Sequence, residues 1–134
     1  MPYGDIDLQR SNTQEVFDYV INHLRQQGKQ STSKANGCEY RTDEGLACAV
    51  GCLIPNDKYE SWIEGKPIDD LIWDYKHESG MIYHLSILKS LQQFHDTSTT
   101  WIDYTGSKPY AEFEAGAERL ARRFNLVLAP RLPQ

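Results

Sequence analysis

Cysteine is scarce in this chain: three among 134 residues, an odd number, with nine residues between the first two and three between the last two. That spacing is unlike the even framework of a disulfide-stapled secreted domain, so a reducing cytosol is the expected compartment. Long hydrophobic runs are missing too. The longest uncharged apolar stretch, Leu46–Pro55, is much too short to span a bilayer. The opening residues, Met1 to Asp7, have neither the basic nor the apolar region of a secretory leader. Together these absences predict a cytoplasmic protein with no membrane association. Basic clusters are also lacking. The net charge is −5, with ten acids and seven bases in residues 1–67 and nine acids and seven bases in residues 68–134. An even, mildly negative surface argues against non-specific binding to nucleic acid or anionic membrane, which needs clustered Lys and Arg. The charge is too weak for a nucleic-acid mimic. Catalytic fingerprints are absent: there is no Gly-x-Ser-x-Gly, Walker loop, dinucleotide glycine pattern or His-Glu-x-x-His, and no cofactor is expected.

What is present describes an ordinary globular domain. Apolar residues make up 40% of the chain and charged residues 25%. A single domain of this length hides roughly two-thirds of the surface of its unfolded chain, so it folds without a metal or disulfide. Tyrosine is plentiful at eight, with three tryptophans, which favours amphipathic aromatics at the surface or at an interface. The expected organisation is an irregular arm over residues 1–10, one globular domain over 11–129 and a tail over 130–134.

Hydrophobic spacing predicts an α+β domain, predominantly helical. Ser11 or Asn12 with Glu15 suits a capped start for a helix over about 12–27, whose apolar stripe is Phe17, Val20, Ile21 and Leu24 and whose stop is Gly28. Residues 29–37 are polar and read as an exposed loop. Cys38 to Thr42 alternates and reads as a strand, with residues 126–128 as its potential partner in a minor two-stranded element. Residues 46–54 carry no charge and many small side chains. They read as a buried central helix ended by Pro55, with a buried strand as the alternative. Asn56 would cap a short helix in which Tyr59, Trp62 and Ile63 share a face. Pro67 suits the start of another, with Ile68, Leu71, Ile72 and Tyr75 inward. A longer helix follows at about 81–95 with Leu85, Leu88, Leu91 and Phe94. The last begins near Ser107 to Pro109 and buries Phe113, Ala117, Leu120 and Phe124. Its acids (Glu112, Glu114, Glu118) precede its bases (Arg119, Arg122, Arg123), as the helix dipole favours.

The central block is distinctive: Cys38-x-Tyr40-Arg41, then Gly45-Leu46-x-Cys48-Ala49-Val50-Gly51-Cys52-Leu53-Ile54-Pro55, then Tyr59 and Glu64-Gly65. It resembles a group of uncharacterised small proteins from phage and bacterial genomes. Glu15 to Asp18, Gln27-Gly28-Lys29, Leu91-Gln92-x-x-His95-Asp96 and Trp101 fit the same group, so the resemblance spans about residues 14–124. It implies a shared fold and a phage or bacterial setting, and it carries no activity.

Three constellations could carry chemistry. Cys48 and Cys52, four apart, would share a helix face about 6 Å apart. With Cys38 and one histidine, His95 among the candidates, they could form a Cys3His metal site, although zinc modules use closer pairs. Cys48 could instead be a nucleophile served by His84 or His95, with Arg41 beside Cys38 or a helix N-terminus to stabilise a thiolate. The bland alternative is that all three are small buried hydrophobes. His77, His84 and His95 return to nearly one helix face, but the eleven residues from His84 to His95 rise about 16 Å, so those two could not share a metal on one straight helix. His95-Asp96 is similar to the adjacent pair of HD-type metal phosphohydrolases. Those also need an upstream histidine and a downstream aspartate on different helices; a dipeptide arises easily by chance, and the preferred reading of Asp96 is that it caps or follows the helix end. Finally, Asp69, Asp70 and Asp74 interleave with Ile72, Trp73 and Tyr75. This is either a solvated helix face or a protein-binding rim anchored by Trp73 with Asp70, Asp74 and Tyr75 around it. The leading expectation is a non-enzymatic accessory protein that binds another protein and modulates a host or phage system. The competing one is a metal- or thiol-dependent protein centred on Cys38, Cys48, Cys52 and a histidine.

Overall fold

In the computed structural model, which describes residues 3–34, 37–75, 80–101 and 110–131 (74 and 75 by backbone), Asn12 opens the first helix reciprocally. Its side chain accepts from the Glu15 N–H at 2.8 Å and its own N–H donates to Glu15 Oε1 at 3.0 Å. Helix α1 (Thr13–Gln27) ends where Gly28 takes φ 72° and donates back to the Leu24 carbonyl at 2.9 Å. Its inner stripe of Val16, Phe17, Val20, Ile21 and Leu24 is buried. The other long elements are α2 (Ile68–Tyr75), α3 (Leu85–Asp96) and α4 (Ala111–Arg123). A short antiparallel hairpin, β1 (Thr32–Ser33) and β2 (Gly37–Cys38), pairs Thr32 with Cys38. The fold is thus α+β and mostly helical, with four α-helices and one two-stranded sheet among the described residues.

The core lies between α1, α3 and α4 and the segment that precedes α2. Helix α3 packs on both α1 and α4. Leu88 and Leu91 of α3 are fully buried, and Phe94 meets Phe113 of α4 edge-on at 5.0 Å. Gly116 lets α4 approach, because a Cβ there would stand 2.8 Å from the Phe94 ring.

Residues 47–54 form an unbroken buried run, in keeping with their composition, but they are not a nine-residue α-helix. Only Gly51–Leu53 forms a short 3-10 turn. The reason is where the backbone hydrogen bonds go. Ala47 N–H donates to Gln27 Oε1 and Val50 N–H to Gln92 Oε1, while the Ala47 carbonyl accepts from Gln27 and His23. Side chains of α1 and α3 therefore satisfy groups that a helix would satisfy internally. Gly51 completes the arrangement. Any Cβ at this position would overlap the Tyr40 carbonyl oxygen, so only glycine fits against that backbone.

Several other boundaries differ from the pattern in the sequence. The strand at 38–42 is cut to Gly37–Cys38, and its partner is Thr32–Ser33, not 126–128. Beyond it, Arg41 forms a single antiparallel bridge with Ala47. Residues 126–128 instead run beside α1. Asn125 takes φ 56°, Leu126 N–H closes on the Ala121 carbonyl, and Val127 exchanges two hydrogen bonds with the Gln14 side chain. The segment 29–37 is not simply an exposed loop, since Ser31 is fully buried. The helix expected after Asn56 is only a 3-10 turn at Ser61–Ile63, and its large apolar residues do not share a face: Ile63 is buried and Trp62 is 49% exposed. The helix expected from residue 81 opens as a 3-10 turn, Met81–His84, before α3. The start expected for the last helix at 107–109, together with His77, lies outside the described residues. The N-terminal residues 3–10, which form no helix or strand, are strapped down. Gly4 N–H donates to the Cys52 carbonyl at 2.8 Å, Tyr3 O–H to the Gly45 carbonyl at 2.7 Å, and Leu8 is buried. No helix among the described residues is long and apolar enough to cross a membrane.

Candidate functional site

Two polar assemblies account for the distinctive block. In the first, Glu64 accepts from Tyr40 N–H at 2.8 Å, Arg41 N–H at 3.0 Å and Tyr59 O–H at 2.6 Å. Arg41 then reaches across the buried loop, donating to the Gly51 carbonyl at 3.0 Å, to the Ile54 carbonyl and to Asn56 Oδ1 at 2.8 Å. Its guanidinium lies 4.2 Å over the Tyr3 ring and 5.3 Å from that of Tyr59. Burial pushes the Tyr40 and Tyr59 hydroxyls to higher pKa, and the Glu64 hydrogen bond adds to the effect at Tyr59. Both stay protonated donors at neutral pH. This assembly spends its side chains on holding backbone.

The second assembly lies at the C-terminal end of α3. His95 is fully buried. Its Nε2 faces the Ser31 N–H at 2.9 Å and its Nδ1 faces Asp96 Oδ1 at 2.8 Å. A backbone N–H can only donate, so Nε2 is the acceptor and Nδ1 carries the proton toward the carboxylate. The Trp101 indole and Gln30 both donate to the His95 carbonyl, and Gln92 Nε2 donates to Asp96 Oδ1 at 3.1 Å. Cys38, at the end of the hairpin, completes the cluster. One ligand atom from each of Cys38, His95 and Asp96 lies within 4.8 Å of the others. The Cys38 thiol is pushed up by burial and by the Asp96 carboxylate, the opposite of an activated nucleophile. Beside it opens a cavity of about 420 Å³, lined by Cys38, Tyr40, Glu64, Lys89, Gln92 and Asp96.

The other candidates fall elsewhere. Cys48 and Cys52 do not join this cluster among the described residues. Both are fully buried: Cys48 Sγ accepts from the Gly51 N–H at 3.2 Å, and the Cys52 thiol faces the Ala49 carbonyl at 3.1 Å. Burial pushes the Cys48 thiol up to about 12 and the Cys52 thiol well above its ordinary value. His84 donates Nε2–H to the Leu8 carbonyl at 2.7 Å, a contact unlike that of a base for Cys48, and its buried Nδ1 has no partner among the described residues. The second histidine that an HD-type centre needs is not in the cluster among the described residues.

On α2, Asp69, Asp70 and Trp73 are exposed on one face, with Asp69 paired to Lys89 at 2.9 Å. The side chains of Asp74 and Tyr75 lie outside the described residues. The sequence pattern gave no hint of two further exposed apolar residues, Ile82 and Tyr83, on the 3-10 turn that packs against α2. Asp96 as part of a three-residue cluster was signalled only by its adjacency to His95. No protein-family model, no curated protein and no solved structure matches the chain.

Proposed function

We propose that the protein acts by binding another protein through the face that α2 and the Met81–His84 turn share, and that it does so as a non-enzymatic accessory factor. The observation that carries this reading is exposure of large apolar side chains on two elements that pack together: Trp73 is 67% exposed, Tyr83 72% and Ile82 47%. Exposed aromatics at this density mark interaction surfaces, and Trp and Tyr supply most hot-spot energy. Asp69 and Asp70 border Trp73, and the chain is acidic throughout, which favours a partner with an apolar pocket rimmed by Lys or Arg. The even acidic charge also disfavours nucleic acid as the partner. Resemblance of the central block to phage and bacterial proteins supports a partner from a bacterial cell, with modulation or inhibition of a host system such as a defence complex as the outcome.

Affinity capture from a bacterial lysate tests this. Wild-type protein should retain a stoichiometric partner that the double variant Trp73→Ala, Tyr83→Ala loses while its melting temperature stays unchanged. An empty capture together with turnover of a small molecule would reject the reading.

A further inference from the structure

We propose that Cys38, His95 and Asp96 form a binding site for a single thiophilic divalent cation of the zinc class, with a remaining coordination position open to the adjoining cavity. This goes beyond the partner-binding reading and does not depend on it. Thiolate, imidazole and carboxylate together are a donor set that zinc accepts and magnesium or calcium does not. The three ligand atoms lie within 4.8 Å of one another, whereas ligands on one tetrahedral zinc stand about 3.5 Å apart. Closing that gap needs a shift of about 1 Å at the widest pair. Cys38 can supply the shift, because it is exposed on a hairpin of two-residue strands. His95 Nδ1 and Asp96 Oδ1 already share one proton at 2.8 Å, and the cation would take that proton's place. Three protein ligands leave one tetrahedral position, which water reaches through the cavity of about 420 Å³ that Cys38 and Asp96 line.

The surroundings fix how tight this site can be. Gln92 holds the carboxylate through Oδ1, and the Trp101 and Gln30 bonds to the His95 carbonyl hold the end of α3. In a tight zinc site the second imidazole nitrogen donates a hydrogen bond to an oxygen. Here Nε2 faces a donor, the Ser31 N–H. Metal at Nδ1 therefore leaves either an imidazolate on Ser31 or a broken Ser31 hydrogen bond, and both oppose binding. The site is one that loads and releases, not a structural zinc on which the fold depends.

Cobalt(II) chloride added to the full-length, reduced, metal-free protein gives the test. One equivalent should bind per chain with a thiolate-to-cobalt charge-transfer band in the near ultraviolet. Cys38→Ser should abolish the band and weaken binding at least about tenfold, and Asp96→Asn should weaken it by about tenfold. Cys48→Ala should retain the band. Circular dichroism of Cys38→Ser should match wild type, since the residue is exposed, so its result stands even where Asp96→Asn folds poorly. The proposal is overturned by a missing band in the wild type, by a band that survives Cys38→Ser, or by saturation at half an equivalent, which would mean two chains sharing one ion.

Discussion

The carboxylate of Glu64 accepts the N–H groups of both Tyr40 and Arg41, at 2.8 and 3.0 Å, from 24 and 23 residues away. That clamp sets the backbone against which Gly51 packs, and it leaves Arg41 free to tie down the carbonyls of the buried loop. Glu64→Ala would strand two backbone donors and the Tyr59 hydroxyl. A loss of about 2 kcal/mol is expected, with Glu64→Gln costing about half as much because one acceptor oxygen remains. Denaturant melts of the two variants check both the size and the order.

Gly51 should tolerate nothing larger. Its backbone is not left-handed, so the constraint is space alone: a methyl would overlap the Tyr40 carbonyl oxygen. Gly51→Ala is expected to cost about 3 kcal/mol or more, because neither the Glu64 clamp nor the Arg41 bonds can yield without losing partners. Gly45→Ala, where nothing lies within 4 Å but φ is 90°, should be milder, at about 1 kcal/mol. Equal costs at the two positions would contradict this account of the loop.

These contacts also explain which parts of the fold could be read from sequence. Helix α1 announces itself through Asn12, Glu15, Gly28 and an apolar stripe, all between residues 12 and 28, because caps and amphipathic spacing are local. The buried loop at 47–54 could not be read this way. An uncharged run of small residues fits a helix equally well, and what unwinds it is hydrogen bonding to Gln27 and Gln92, which lie 20 and 42 residues distant. The candidate site shows the same limit. Cys38, His95 and Asp96 are all visible as chemical residues, yet the sequence groups Cys38 with Cys48, Cys52 and a histidine such as His95, and treats Asp96 apart. Only the fold brings the hairpin to the end of α3.

The three thiols should separate cleanly under native alkylation. Cys38 is exposed, whereas Cys48 and Cys52 are fully buried with thiol pKa values raised by that burial. One equivalent is expected to react in the native state and three in denaturant. Because the Asp96 carboxylate disfavours the Cys38 thiolate, Asp96→Asn should speed the native reaction at pH 8. Cys48→Ser should cost about 1–3 kcal/mol by placing a hydroxyl in an apolar site, and Cys48→Ala should cost less.

Acid should weaken the fold through His23. Its ring is buried against the Tyr3 ring, donates Nε2–H to the Ala47 carbonyl at 2.7 Å, and has its pKa lowered chiefly by desolvation. A histidine of depressed pKa binds its proton more readily in the unfolded chain, so stability is full above the ordinary value of 6.5 and falls as pH drops below it. Melting temperature should therefore decline from pH 6.5 downward, and His23→Gln should flatten that slope whatever its effect on stability at pH 8.

Trp73 is the anchor of the proposed binding face. With the captured partner purified, titration calorimetry of wild type against Trp73→Ala is the most direct measurement. An exposed anchor of this kind is worth about 2 kcal/mol or more at an interface, so the variant should bind roughly thirtyfold more weakly. Its melting temperature should match wild type, because the side chain is 67% exposed and contributes little to the core. Equal affinity for the two proteins, with folding intact in both, would contradict the assignment of this face as the binding surface.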